Sequence, residues 1–459
     1  MAVNPETHST ANELDAGVER ALAAVGILVT VTGCHRLTAG ASRETFRIDY
    51  TDSTGDIAKA VLRRDPPGHG NPHRMRAEAV CLRTALDAGV PVPRLLCADD
   101  DAPGIDAPFL IMDHVNGETL PRKLQRDPSL AAIRPMLAIE FGRILGRLHR
   151  TPLAGLEILD DTNPLDALEA TFRAQGQDNP TVEIGLRWLR ANTPTSRPIT
   201  LVHGDFRVGN LIVDDAGVQA VLDWELSHLG NPIEDLGWLC VPAWRFGSAL
   251  PVGGLGERNA LLDGYEQEAG WRPSENELHW WEIFGTLKWL VLSIFQSQRH
   301  LSGEEHSLEL AAIGRRVCEF EYDLLQSLGI SDSAIVDASA VESGPGAYRR
   351  PSLTEILELV TEIIVDSGAA LAGDAHRQHH LRIAANLLRI AGREVDSGSA
   401  GTRELATALA TVDCGSEAQL AESIRTAALD WTDSDVQRAV VSTVTLRLRV
   451  SNPRHLGTT

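Results

Sequence analysis

The stretch Leu201–Glu225, LVHGDFRVGNLIVDDAGVQAVLDWE, gathers two carboxylates, a carboxamide, an imidazole and a guanidinium at Asp205, Asp223, Asn210, His203 and Arg207. Such a set suits phosphoryl transfer, in which the protein positions a nucleotide, a hydroxyl and Mg²⁺ and neutralises developing charge. Asp205 is expected to accept the proton of the attacking hydroxyl. Asn210 and Asp223 are the expected metal ligands, because Mg²⁺ takes hard carboxylate and carbonyl oxygens and keeps several waters. His203 is expected to orient the loop through hydrogen bonds, and Arg207 to offset phosphate charge. Asp and Asn are also common turn residues, but here spacing and strand context agree with the chemistry.

Those side chains need a frame. Leu211-Ile212-Val213 reads as one strand and Gln219-Ala220-Val221-Leu222 as its partner across Asp214-Asp215-Ala216-Gly217, a hairpin that sets Asp223 beside Asn210. Downstream, Asn231–Gly237 opens a helix whose Asp235 is expected to cap backbone N–H groups and brace the loop. Upstream, Met136–Arg150 carries an apolar stripe at Leu137, Phe141, Ile144, Leu145 and Leu148. His149 at its end is expected to make a hydrogen bond or satisfy the helix terminus.

The HGDFRVGN loop and the later Asp223 resemble the catalytic and metal-binding loops of the aminoglycoside phosphotransferase-like kinases. Phe206, Arg207 and the string VLRRDPPG at 61–68 are most similar to the kinase domains associated with acyl-CoA dehydrogenases. The resemblance covers roughly residues 30–325 by the extent of its motifs. It implies an α+β, two-lobed protein-kinase-like fold with a β-rich N-lobe and a helical C-lobe, followed here by a small all-α domain. It also implies ATP and Mg²⁺ as cofactors and a small-molecule hydroxyl as acceptor. A phosphate-covering loop would lie at Leu37–Ser42, using Gly40 and Ser42. The phosphate-contacting residue on the strand Ile57–Arg64 would be Arg63 rather than the family's usual Lys, with Lys59 on the same strand face as the other candidate. Glu78, on a helix expected over Arg74–Ala88, would pair with Arg63 or stand in solvent. The adenine edge would meet the backbone around Met112, Asp113, His114 and Val115.

Composition narrows the alternatives. The 459 residues hold 42 basic and 63 acidic side chains, a formal charge of −21, which argues against a nucleic-acid partner. The six cysteines form no Cys-x-x-Cys pair, the acidic N-terminal stretch lacks a signal-peptide pattern, and no apolar run reaches membrane-spanning length. A cytoplasmic protein without membrane partners is expected.

Ser331–Arg350, low in large apolar residues, reads as a linker, and Ser352-Leu353-Thr354-Glu355 as a capping box opening a second domain. The expected division is an N-lobe over 1–115, a C-lobe over 116–330, a linker over 331–350 and a helical accessory domain over 351–459. His376 and His380 stand one turn apart but lack an obvious third ligand, so a solvated helix face is expected there. Two functions fit the sequence. One is a small-molecule O-kinase, acting on a hydroxyacyl-CoA or hydroxy acid or on an aminoglycoside-like alcohol. The other is a nucleotide-binding pseudokinase serving as a regulatory or scaffolding module.

Overall fold

The computed structural model describes residues 11–37, 43–195, 197–330, 351–353, 355–357, 359, 360, 363, 375–397 and 400–457. Gly40, Ser42 and the expected linker at 331–350 lie outside the described residues. The described fold is the α+β kinase-like one expected, with a sheet-bearing N-terminal part, a helical part and further helices after it.

Helix α1 (Ala11–Ala24) leads into a five-stranded antiparallel sheet of β1 (Val29–Leu37), β2 (Glu44–Asp52), β3 (Ile57–Arg64), β4 (Leu95–Asp99) and β5 (Phe109–Asp113), ordered β1-β2-β3-β5-β4. Strand alternation decides what each face carries. Phe46, Ile48, Ala60 and Leu62 join Leu14, Val18 and Leu22 of α1 and Phe109 and Ile111 of β5 in one core. Arg63, one residue beyond Leu62, therefore leaves that core for the other face. Helix α2 (Pro72–Asp87) starts two residues earlier than expected: Asn71 caps it by accepting from the Arg74 N–H, and Pro72 is its first residue, where a missing N–H costs nothing.

The chain condenses into two units that interleave along the sequence. One comprises Met1–Asp161, Ser196–Cys240 and Trp244–Ser274; the other comprises Thr162–Thr195, Val241–Ala243 and Glu275–Thr459. In the first, α3 (Pro121–Arg126), α4 (Leu137–Leu148), α7 (Ile233–Cys240) and α8 (Arg258–Ala269) accompany the sheet and the short strands of the loop region. Helices α4 and α8 meet backbone to backbone. A Cβ at Gly142 would stand 2.0 Å from the Leu261 carbonyl oxygen, and one at Gly264 would stand 1.9 Å from that of Ile139.

The second unit holds α5 (Pro164–Ala174), α6 (Pro180–Ala191), α9 (Glu275–Leu301) and α10 (Leu308–Ser327). With them are α11 (Ala375–Asp396), α12 (Ala400–Ala410), α13 (Glu417–Arg425) and α14 (Ser434–Ser451). Ile184 of α6 and Cys318, Tyr322 and Leu325 of α10 share one core with Leu420 and Ile424 of α13 and Val436, Val440, Val444 and Leu448 of α14. Arg447 is buried there between Glu321 and Glu417, at 2.8 and 2.7 Å, and Asn179 donates to the same Glu321 over 2.6 Å. The capping box is formed: Glu355 accepts from the Ser352 N–H, and the Ser352 hydroxyl accepts from the Glu355 N–H. Ile356 and Val360, one helical turn apart, are buried, whereas Leu357 is exposed. None of the six cysteines is in a disulfide, and no helix among the described residues is long and apolar enough to cross a membrane.

Candidate active site

The loop after β6 (Thr200–Val202) is held by backbone before any side chain acts. β6 pairs with β9 (His228–Gly230), and β7 (Leu211–Asp214) pairs with β8 (Gly217–Val221), with Leu211 opposite Val221. The Leu222 N–H donates to the Asn210 carbonyl over 2.8 Å, so the entry and exit of the hairpin are tied together. The next residue, Asp223, adopts φ 66°, a left-handed conformation that few non-glycine residues take and that Asp tolerates better than most. Gly204 has φ +80°, and a Cβ there would lie 2.3 Å from the Leu226 carbonyl oxygen.

Asp235 braces this loop from below. Its carboxylate accepts from the backbone N–H groups of His203 and Gly204 at 2.8 and 2.9 Å and pairs with His149 Nε2 at 3.1 Å. Burial opposes ionisation of Asp235, yet the hydrogen bond and charge of His149, together with His203, outweigh it and hold the carboxyl below the usual range. The expected bracing is thus present, whereas the cap of α7 comes from Asn231, whose side chain accepts from the Ile233 N–H. His149 is buried and also meets the Tyr265 hydroxyl at 3.2 Å, so its partners are side chains of α7 and α8 rather than its own helix terminus.

His203 is fully buried, with Nε2 donating to the Leu222 carbonyl at 3.0 Å and Nδ1 accepting from the Asp205 N–H at 3.1 Å. Those two partners fix one neutral tautomer, and burial holds its pKa below the ordinary value. Both ring nitrogens are engaged with backbone, so the ring orients the loop and has no position from which to pass a proton to a substrate.

Asp205 is pinned from three sides. Its Oδ1 accepts from Trp238 Nε1 at 2.8 Å and Arg207 Nε at 3.1 Å, and its Oδ2 accepts from Asn210 Nδ2 at 2.6 Å. Asn210 Nδ2 also donates to the Asp205 carbonyl over 3.0 Å, which fixes the orientation of the carboxamide and turns its Oδ1 away from Asp205. The Arg207 guanidinium lies 4.9 Å from the centroid of the Trp244 ring, a cation–π stack on an aromatic pair formed with Trp238.

From the sheet, Arg63 reaches the same region. Its Nη1 donates to Glu78 Oε1 at 2.7 Å, and its Nη2 donates to Asp223 Oδ1 at 2.7 Å and Glu225 Oε2 at 3.3 Å. Burial works against the charge on Arg63, but Glu78 and then Asp223 raise its pKa. Enclosure likewise opposes ionisation of Asp223, and Arg63 more than compensates, holding that carboxyl below its ordinary range. Glu78 is therefore a buried ion-pair partner and not a solvated helix carboxylate. Lys59 is exposed and stands opposite Asp49. Of the remaining expected positions, Met112 and Asp113 end β5, Asp113 pairs with Arg94 at 3.0 Å, and His114 donates its N–H to the Lys59 carbonyl. Val115 follows, half-buried.

Five neighbours were not anticipated: Arg43, Asp65, Glu225, Trp238 and Trp244. Glu225 stands two residues past Asp223 and Asp65 two past Arg63, so both lay within the strings already singled out. Arg43 and the two tryptophans reach the site from elements distant in sequence, and no local periodicity marks them. For the histidine tract, His380 pairs with Glu309 at 2.7 Å, and the His376 side chain lies outside the described residues.

The sequence model of the phosphotransferase enzyme family (APH) matches residues 33–275, and that of a domain of unknown function (DUF6285) matches residues 371–455. Acyl-CoA dehydrogenase family member 10 of Mus musculus is 32% identical over 229 residues, covering 46% of this chain and 20% of that protein. Acyl-CoA dehydrogenase family member 11 of Homo sapiens is 29% identical over 217 residues, covering 43% of this chain and 26% of that protein. The chain thus spans about a quarter or less of the length of these relatives. Among solved structures, a Ralstonia eutropha protein provisionally named an aminoglycoside phosphotransferase superposes with a TM-score of 0.55 at 21% identity, covering 70% of this chain and 99% of that one. That likeness is one of fold.

Proposed function

This chain belongs to the phosphotransferase enzyme family, and on that premise we propose that it transfers the γ-phosphate of ATP to a hydroxyl of a small molecule with the help of Mg²⁺. The observation that carries this reading is the bond from Arg63 to Asp223, which brings the end of β3 and the end of the β7–β8 hairpin to one place. In this reading Asp205 orients the acceptor hydroxyl and takes its proton on a carboxylate oxygen. Arg63 keeps one branch of its fork on Glu78 and turns the other to a phosphate oxygen. Gly40 and Ser42 cover the phosphates, the backbone at Met112–Val115 meets the adenine edge, and Arg207 offsets charge beside Asp205. A division into an N-lobe over 1–115, a C-lobe over 116–330, a linker and an accessory domain from 351 remains part of the proposal.

The donor set fits Mg²⁺. Asn210 has its amide nitrogen engaged by Asp205 and offers its carbonyl oxygen, and Asp223 meets Arg63 through Oδ1 and keeps Oδ2. Two hard oxygens, with phosphate and water completing the shell, are what Mg²⁺ takes in nucleotide sites. Bound there, the ion would offset the negative charge of the phosphates as the γ-phosphoryl group passes from the nucleotide to the acceptor hydroxyl.

For the acceptor, a guanidinium stacked on Trp244 beside the base favours a substrate bearing an anionic group, in line with a hydroxyacyl-CoA or hydroxy acid. A polycationic aminoglycoside would meet Arg207 with like charge. Phosphate transfer is to be measured with a panel of hydroxyacyl-CoA, aminoglycosides and amino alcohols. Asp205→Asn is expected to lower turnover by about 10²–10⁴-fold while leaving Mg-AMP-PNP affinity unchanged. Transfer by this variant at the parent rate would overturn the assignment, and absence of turnover on every acceptor despite nucleotide binding would favour a pseudokinase.

A further inference from the structure

We infer that Arg43 is a positioning residue for the nucleotide site: it holds the second oxygen of Glu78 so that Arg63 keeps a free hand for the phosphates. This rests on the phosphotransferase reading of the site.

Arg43 stands immediately before β2, and its side chain is buried, 6% exposed. Its Nε pairs with Asp65 Oδ1 at 3.0 Å, its Nη1 pairs with Glu78 Oε2, and Glu225 lies 4.0 Å from Nε. Glu78 is therefore shared. Oε1 receives Arg63 and Oε2 receives Arg43, so both carboxylate oxygens are occupied and the plane of the group is set. Asp65 in turn accepts from the Asn71 N–H at 2.7 Å, which fastens the residue capping α2 to the same cluster.

Charge and geometry give this arrangement a purpose. Two guanidinium groups face the four carboxylates of Asp65, Glu78, Asp223 and Glu225. A buried carboxylate left with one partner draws that partner strongly, because desolvation makes an incompletely paired charge costly. With Glu78 bound by Arg63 alone, both forks of Arg63 would be pulled toward it. With Oε2 already satisfied by Arg43, Arg63 needs only Nη1 for Glu78, and its Nη2, now on Asp223, can be re-addressed to a phosphate oxygen. A lysine at position 43 could serve Glu78 or Asp65 as a point charge but not both through a planar fork.

The test uses the full chain and Mg-AMP-PNP, titrated calorimetrically, beside adenosine, titrated by NMR. Arg43→Gln is expected to weaken Mg-AMP-PNP about tenfold and to leave adenosine affinity unchanged, because the defect is confined to the phosphates. Arg43→Lys should fall between parent and Arg43→Gln. Arg43→Gln combined with Glu78→Gln should lose no more than the weaker-binding single variant, since both act through one carboxylate. Parent-like Mg-AMP-PNP binding by Arg43→Gln, an equal loss on adenosine, or multiplicative losses in the double variant would each overturn the inference. If Arg43→Gln does not fold, parent-like binding by Arg43→Lys overturns it in the same way. A parent chain that fails to bind Mg-AMP-PNP overturns the phosphotransferase reading itself, and this inference with it.

Discussion

Trp238 donates its indole N–H to Asp205 Oδ1 over 2.8 Å, so a residue of α7 sets the rotation of the carboxylate proposed to take the acceptor's proton. The contact joins a helix to a loop more than thirty residues earlier in the chain. A neutral donor on a charged acceptor is worth about 1.5–3 kcal/mol. Trp238→Phe keeps most of the ring and removes the donor. It should lower kcat about tenfold or more and leave Mg-AMP-PNP affinity unchanged, as steady-state kinetics and calorimetry would show.

Arg63→Lys tests the fork. One ammonium cannot reproduce the two directed bonds from Nη1 to Glu78 and Nη2 to Asp223. Mg-AMP-PNP affinity is expected to fall roughly tenfold, about 1.4 kcal/mol, with adenosine affinity unchanged. A Lys variant that binds as tightly as the parent would show that the planar geometry is dispensable.

His203 gives the fold a calculable pH dependence. Its pKa is depressed in the folded state by burial, so its contribution is fully present above the unfolded value of about 6.5 and is lost as pH falls from there through the folded value. One proton taken up on unfolding steepens the loss by at most about 1.4 kcal/mol per pH unit. His203→Gln, which cannot titrate, should show a shallower fall in denaturation midpoint than the parent between about pH 6.5 and 5.5. Equal slopes in the two proteins would rule this out.

Gly264→Ala should destabilise the first unit by about 1–3 kcal/mol, because the added methyl would meet the Ile139 carbonyl where α4 and α8 touch. Chemical denaturation checks this. Ala at Gly392, with nothing within 4 Å of its Cβ position, is the control and should not destabilise.

Much of this site is written in local patterns. Alternation on β3 places Arg63 opposite the apolar core face, and the Asp214–Gly217 turn fixes the hairpin register that carries Asn210 and Asp223. The family's fold followed from those motifs. What stayed hidden depends on contacts between distant segments: Arg43 on Glu78, Trp238 on Asp205, His149 on Asp235. Each involves a residue whose own neighbourhood looks ordinary. Helix α5 leaves little mark in the sequence, because prolines and polar residues surround a short apolar spacing at Leu165, Leu168 and Phe172. Leu357 is the converse, an apolar residue beside the buried Ile356 that the fold leaves exposed.

The interleaved second unit has a practical corollary. Shortening the chain at about residue 330, where a tidy excision of the catalytic portion would be attempted, would strip α13 and α14 from Ile184, Cys318, Tyr322 and Leu325. It would also leave Glu321 without Arg447. The trimmed product would present a greasy scar and a buried acid stripped of its cation, and insolubility after such a cut would report on the missing cover and not on the catalyst.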